Sequence, residues 1–279
     1  RDLCDTLTKS PIDTIRFQDP GLNEFLRQEF PHFKTHLATE TGNNNDHSNA
    51  GAVYIYKRSG TSWSQEAYIK AVNNDVNDLF GQVLDLYENT LVVGVNNESS
   101  NQTTITNGTT SSSGTNWTDN SAPSIGALYV YKRTGTNWAQ EAYVKAVNAA
   151  GSDYYGEEGT LALDNGTLVV GSKNEDCKWD SIINGSTGPS WYNEEQDITY
   201  TTCDWSRMSR DSGAVYVYKR TGTNWAQQAY IKAGNPDIDD SFSIVAMDNK
   251  TIVVGAVGED SNLKTITNGT GTSENNDIQ

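Results

Sequence analysis

One segment recurs three times along this chain and limits what the chain can become. Gly-Ala-Val-Tyr-Ile-Tyr-Lys-Arg opens a copy at Gly51, Gly-Ala-Leu-Tyr-Val-Tyr-Lys-Arg opens another at Gly126, and Gly-Ala-Val-Tyr-Val-Tyr-Lys-Arg a third at Gly213. Each continues through a Gly-Thr turn and a Trp to an Ala-Tyr-(Ile/Val)-Lys-Ala ending at Ala71, Ala146 and Ala233. A second element follows each copy: Thr-Leu-Val-Val-Gly at Thr90, the same at Thr167, and Thr-Ile-Val-Val-Gly at Thr251. Self-similarity at this spacing is the mark of an array in which each unit buries its faces against its neighbours.

Each unit reads as four antiparallel strands. In the unit that runs through Gly126 they fall at Phe80–Tyr87, Thr90–Val95, Ala127–Arg133 and Gln140–Ala146. Asn89, Asn165 and Asn249 mark the tight hairpin between the first two strands, and the Thr-Gly-Thr-Asn before Trp138 and Trp225 the hairpin between the last two. Val215, Tyr216, Val217 and Tyr218 are apolar on both alternating faces, so both faces of the sheet must be covered. Stacked blades do this, and Tyr and Trp suit them by burying a ring while keeping a polar tip at the rim. The insertions Asn97–Ser124 and Glu175–Ser212 read as polar loops on one edge.

The run of a Phe-Gly strand, a Val-Val-Gly-Ala strand and Gly-Ala-Val-Tyr resembles the FG-GAP repeats of integrin α-subunit propellers and their bacterial relatives. It is carried by Phe80-Gly81, Val92-Val93-Gly94, Val253-Val254-Gly255-Ala256 and the three Gly-Ala-(Val/Leu)-Tyr copies, over about residues 50–260. The resemblance implies an all-β, propeller-like fold and an extracellular or cell-surface role, structural or adhesive. It also implies calcium in a loop between the first two strands. Here that position holds only hairpins such as Tyr87-Glu88-Asn89, too short to wrap six to eight oxygen ligands around calcium. Asp237, Asp239 and Asp240, or Glu259 with Asp260, are the substitute carboxylates on which calcium would bind. A solvated acidic turn is the competing reading, and no other cofactor is expected.

The blades do not come out whole. Residues 51–72 supply only the last two strands of a blade, 76–147 and 150–234 each supply four, and 240–279 supply the first two strands and a loop. Three blades are too few to close a ring. Two expectations follow: a piece of a longer chain, or copies of the same chain joined head to tail, each completing the other's half blade. Residues 1–48 stand apart from the repeat region 49–279. Asp19-Pro20 followed by Leu22, Phe25, Leu26 and Phe30 predicts a short helix, serving as a cap or a docking arm.

A formal charge of −16 disfavours nucleic acid and anionic lipid as partners, and no apolar run is long enough to insert in a membrane. Extracellular glycans or proteins remain as alternative partners, with the long loops as the contact. Cys177 and Cys203 flank the second insertion; paired, they would close a loop of about 25 residues and add about 3 kcal/mol. Cys4 is then left for another role, and three buried thiols is the competing reading. Asn97, Asn101, Asn107, Asn116, Asn165, Asn184, Asn249 and Asn268 begin Asn-x-Ser/Thr sequons and are glycosylation candidates. No nucleophile–base set or phosphate-binding loop is present, so the chain is read as non-enzymatic, with a propeller hydrolase the least favoured reading. His32 and His36 lack the glutamate of a zinc helix, and Trp63, Trp138 and Trp225 read as structural anchors rather than sugar platforms.

Overall fold

The computed structural model describes residues 48–108, 119–157, 159–177, 182–186, 191–193, 198–200, 210–261, 266 and 268. The expected helix, Cys4, Cys203, Asn116 and the three histidines lie outside them. Within them the chain is all-β and every ladder is antiparallel.

The hairpin β1 (Val53–Ser59) and β2 (Ser62–Ile69) comes first. A five-stranded sheet follows, built from β3 (Val83–Tyr87), β4 (Thr90–Val95), β5 (Thr106–Asn107), β6 (Ala127–Thr134) and β7 (Asn137–Val144) in the order β3-β4-β6-β7-β5. The second sheet repeats that order as β8-β9-β13-β14-β10, from β8 (Leu161–Asp164), β9 (Thr167–Ser172), β10 (Ile182–Asn184), β13 (Ala214–Thr221) and β14 (Asn224–Ile231). Its insertion carries a small hairpin, β11 (Trp191–Asn193) with β12 (Ile198–Tyr200). The hairpin β15 (Phe242–Asp248) and β16 (Thr251–Ala256) is the last element among the described residues.

The fifth strand departs from the sequence expectation, in which both insertions are loops. Strand four has an outer edge of backbone groups that need partners. Ile-Thr-Asn-Gly in one insertion and Ile-Ile-Asn-Gly in the other meet that need, and Gly108 N–H and Gly185 N–H close the contact on the Glu141 and Gln228 carbonyls at 2.7 Å each.

Alternation along β6 and β13 distributes the core. Leu128 and Val130 pack toward the second sheet with Tyr216 and Tyr218, whereas Ala127, Tyr129 and Tyr131 pack on the first hairpin with Val53 and Ile55. Val215 and Val217 leave the other face of β13 to meet β15 and β16 through Val245 and Val254. The sheets are thus stacked face to face, each sharing one core with the sheet before and one with the sheet after.

Successive sheets are also joined through backbone. Tyr154 and Tyr155 N–H donate to the Ser124 and Ile125 carbonyls at 3.2 and 3.1 Å. Leu79 and Phe80 meet Asn49 and Ala50, and Ser241 and Phe242 meet Asp211 and Ser212, in the same way. Gly126 sits at φ 87° with its α-carbon against the backbone of Tyr155; a β-carbon there would overlap the Tyr155 carbonyl oxygen. Gly213 makes the same approach to Phe242. Gly126→Ala should therefore cost about 3 kcal/mol, from the left-handed backbone and the forced separation of two chains. Urea unfolding will measure it; a loss under about 1 kcal/mol would mean that the junction yields.

Candidate functional site

The residues that tie one sheet to the next form two repeated sites. The first begins with a β-bulge. The register between the last two strands of each unit shifts at Ile55/Tyr56, Val130/Tyr131 and Val217/Tyr218, which leaves Glu66, Glu141 and Gln228 as the extra residues. A bulge re-aims the side chain it carries. Glu141 is aimed at the following sheet, where it accepts from Arg220 Nε and Nη2 at 2.6 Å each and from Trp225 Nε1 at 2.9 Å. Glu66 takes Trp138 Nε1 at 2.9 Å and Arg133 Nη1 at 3.1 Å. Burial pushes the Glu141 carboxyl upward, but the hydrogen bonds and charge of Arg220 and the Trp225 indole outweigh it and hold it below the usual carboxylate range. Arg133 and Arg220, with Trp138 and Trp225, are therefore clamp donors. Lys132 and Lys219 serve locally, donating to Thr90 Oγ1 and Thr167 Oγ1 at 2.9 Å.

The second site buries a lysine. Lys145 and Lys232, from the end of strand four, have fully buried side chains and meet Glu98 and Glu175 at 2.7 and 2.8 Å. The carboxylates are held from behind. Glu98 accepts from Asn73 Nδ2 at 3.2 Å and from Ser100 N–H at 3.1 Å. Glu175 accepts from Asn148 Nδ2 at 2.9 Å and from Cys177 N–H at 3.1 Å. Tyr129 and Tyr216 cap the arrangement by donating to Asn73 Oδ1 and Asn148 Oδ1. A buried ion pair endures when its remaining polar atoms are satisfied in this way.

A further carboxylate stands beside each lysine. Asp78, Asp153 and Asp240 occupy one position in three successive turns, and each accepts a backbone N–H, from Asp75, Ala150 and Asp237 at 2.9, 2.8 and 2.8 Å. Asp240, one of the calcium candidates, accepts this bond as a turn cap. Asp239 lies opposite Arg210 Nη2 at 3.5 Å, at a left-handed position with φ 65°. No group of three or more His, Cys, Asp or Glu placed to hold a metal occurs among the described residues.

Cys177 is buried and disulfide-bonded, and its partner lies outside the described residues. Of the sequons, Asn101, Asn107, Asn165, Asn184, Asn249 and Asn268 are exposed and Asn97 is half-buried, donating to the Asn77 carbonyl at 3.2 Å. Asn107 is tied to the next sheet: its side chain donates to the Trp225 carbonyl at 3.2 Å and accepts the Trp225 N–H at 2.8 Å.

The stack ends differently from its middle. β4 is buried at every residue and β9 at all but its first. β16 has nearly the same sequence, yet no residue of it is buried. Val253 is 63% exposed where Val92 and Val169 are 0% exposed. β4 and β9 are flanked on both edges, by β3 and β6 and by β8 and β13, whereas β16 pairs with β15 alone among the described strands. Likewise β1 pairs with β2 alone among them.

No family model matches the chain, and no curated protein matches it.

Asp153 gives the site a pH signature. Burial and the charges of Glu175 and Asp176 push its carboxyl from 3.8 up to about 8, against the opposing Ala150 hydrogen bond and Lys232 charge. Between those two values the folded chain keeps a proton that the unfolded chain has released, so stability falls as pH rises through that window. Asp153→Asn removes this term. Its melting temperature relative to the parent should climb from pH 5 to pH 8, and a pH-independent difference would contradict the assignment.

Proposed function

We propose that the chain is an extracellular structural protein built of propeller-like blades, a subunit that joins copies of itself head to tail into a filament or ring. The contrast between β16 and its two buried equivalents carries this reading. A strand of sequence Thr-Ile-Val-Val-Gly-Ala exposes one face, through Val253, and an edge that the same strand type covers twice elsewhere in the chain. Exposed apolar edges of this kind recruit a further strand.

The missing strand type exists in the same molecule. β4 takes β6 with Thr90 opposite Lys132 and Val93 opposite Tyr129. β9 takes β13 with Thr167 opposite Lys219 and Val170 opposite Tyr216. Transferred to β16, that register puts Thr251 opposite Lys57 and Val254 opposite Tyr54 of a second copy, so that β15-β16 and β1-β2 together make one four-stranded blade. The contact is heterologous and propagates. Gln228 is consistent with it: it stands at the bulge position of Glu141 but is exposed, as an acceptor would be before the Arg and Trp of a following unit arrive. The disulfide at Cys177 fits an oxidising, extracellular setting.

Val253→Lys separates folding from assembly. The side chain is solvent-exposed within one molecule, so the monomer should lose no more than about 0.5 kcal/mol. In the assembly it would meet the sheet of the next copy, as Val92 meets the second sheet. Analytical ultracentrifugation should show the parent chain forming concentration-dependent larger species and Val253→Lys remaining a single small one. Equal assembly of the two would refute the reading.

A further inference from the structure

The assembly proposed above would leave one more instance of the buried lysine site, and the chain holds half of it. Asn235 and Glu259 occupy the positions of Asn73 and Glu98 and of Asn148 and Glu175. They are already arranged alike. Asn235 Nδ2 donates to Glu259 Oε1 at 3.1 Å, Ser261 N–H to Oε1 at 3.3 Å and Ser261 Oγ to Oε2 at 2.9 Å. In the first sheet, Asn73 Nδ2, Ser100 N–H and Ser100 Oγ serve the same oxygens of Glu98 at 3.2, 3.1 and 3.2 Å.

What differs is the ammonium. Glu98 Oε2 also takes Lys145, and Glu175 Oε2 takes Lys232, and both carboxylates are buried. Glu259 is exposed, with Asp240 beside it in the place that Asp78 and Asp153 hold by the lysines. Twice in this chain, then, the same carboxylate held by the same Asn is closed by the lysine of an Ala-Tyr-(Ile/Val)-Lys-Ala strand. The first copy of that strand carries Lys70.

We propose that Glu259, held by Asn235 and Ser261, receives the ammonium of Lys70 from a second copy of the chain and is buried with it when the split blade closes. Tyr54 of that copy stands where Tyr129 and Tyr216 stand and would cap Asn235. The pair fixes register, because a strand shifted by one residue would bury Glu259 without a cation, and a buried charge without its partner is strongly disfavoured. Gln228, neutral where Glu66 and Glu141 are anionic, contributes no charge to the same closure.

Charge reversal on each side tests this. Lys70→Glu and Glu259→Lys are made separately, each is checked for a cooperative thermal transition, and sedimentation is measured alone and in equimolar mixture. Each variant alone should need about a hundredfold or more higher concentration than the parent to assemble, and the mixture should recover assembly in alternating order, with the parent Glu259–Lys70 contact and the reversed contact occurring in turn. Glu259→Gln, neutral and at an exposed site, gives the second readout: weakened assembly with an unchanged monomer melt, independent of whether Lys70→Glu folds. Single variants that assemble like the parent would overturn the Lys70–Glu259 pair while leaving head-to-tail joining intact. A parent chain that stays monomeric at every concentration would overturn the assembly reading itself and the pair with it.

Discussion

Backbone meets backbone wherever one sheet hands over to the next, and the rest of the architecture follows from that approach. Gly126 lies against Tyr155 and Gly213 against Phe242, too close for a side chain on the glycine, with two N–H to carbonyl bonds onto the residues just before each glycine. Such a contact fixes the separation of the sheets and the offset of each strand set from the one before. Given that offset, alternate residues of β6 and β13 fall into different cores, and a run such as Ala-Val-Tyr-Val-Tyr can be apolar throughout without exposing a face. The bulge then turns Glu141 toward Arg220 and Trp225 at the one height where the next sheet presents them.

The buried Lys145–Glu98 and Lys232–Glu175 pairs are harder to justify by stability alone, since removing two charges from water costs several kcal/mol before their attraction is counted. Their worth lies in specificity. Apolar strands of near-identical sequence would otherwise pair in several registers, and one ion pair per sheet, braced by Asn and capped by Tyr, penalises every register but one. The same logic makes a half-formed third site informative. In the proposed assembly, the carboxylate already braced by Asn235 and Ser261 would take the lysine of the incoming strand.

Much of the fold was legible because repetition exposes strand limits. Thr90–Val95 was readable to the residue, and β6 and β7 to within a few. The opening strand was placed too early: Phe80 and Gly81 belong to the junction, with Phe80 bridged to Gly51, and the ladder begins at Val83. The fifth strands are two and three residues long, too short for any periodicity to reveal. Glu141 and Lys145 were hidden for opposite reasons. A bulge breaks the alternation by which a side chain is assigned a face, and a lysine in a strand reads as solvent-facing until the Glu that neutralises it, 47 positions away, is brought beside it.

The central claim is that β16 accepts, from a second molecule, the strand that β4 and β9 accept from their own. A cryo-electron microscopy reconstruction of the assembled chain tests it most directly. It should show one composite blade per contact, with Val254 of one copy opposite Tyr54 of the next and Glu259 enclosed. An assembly in which β16 keeps its outer edge in solvent, or pairs in any other register, would contradict the account.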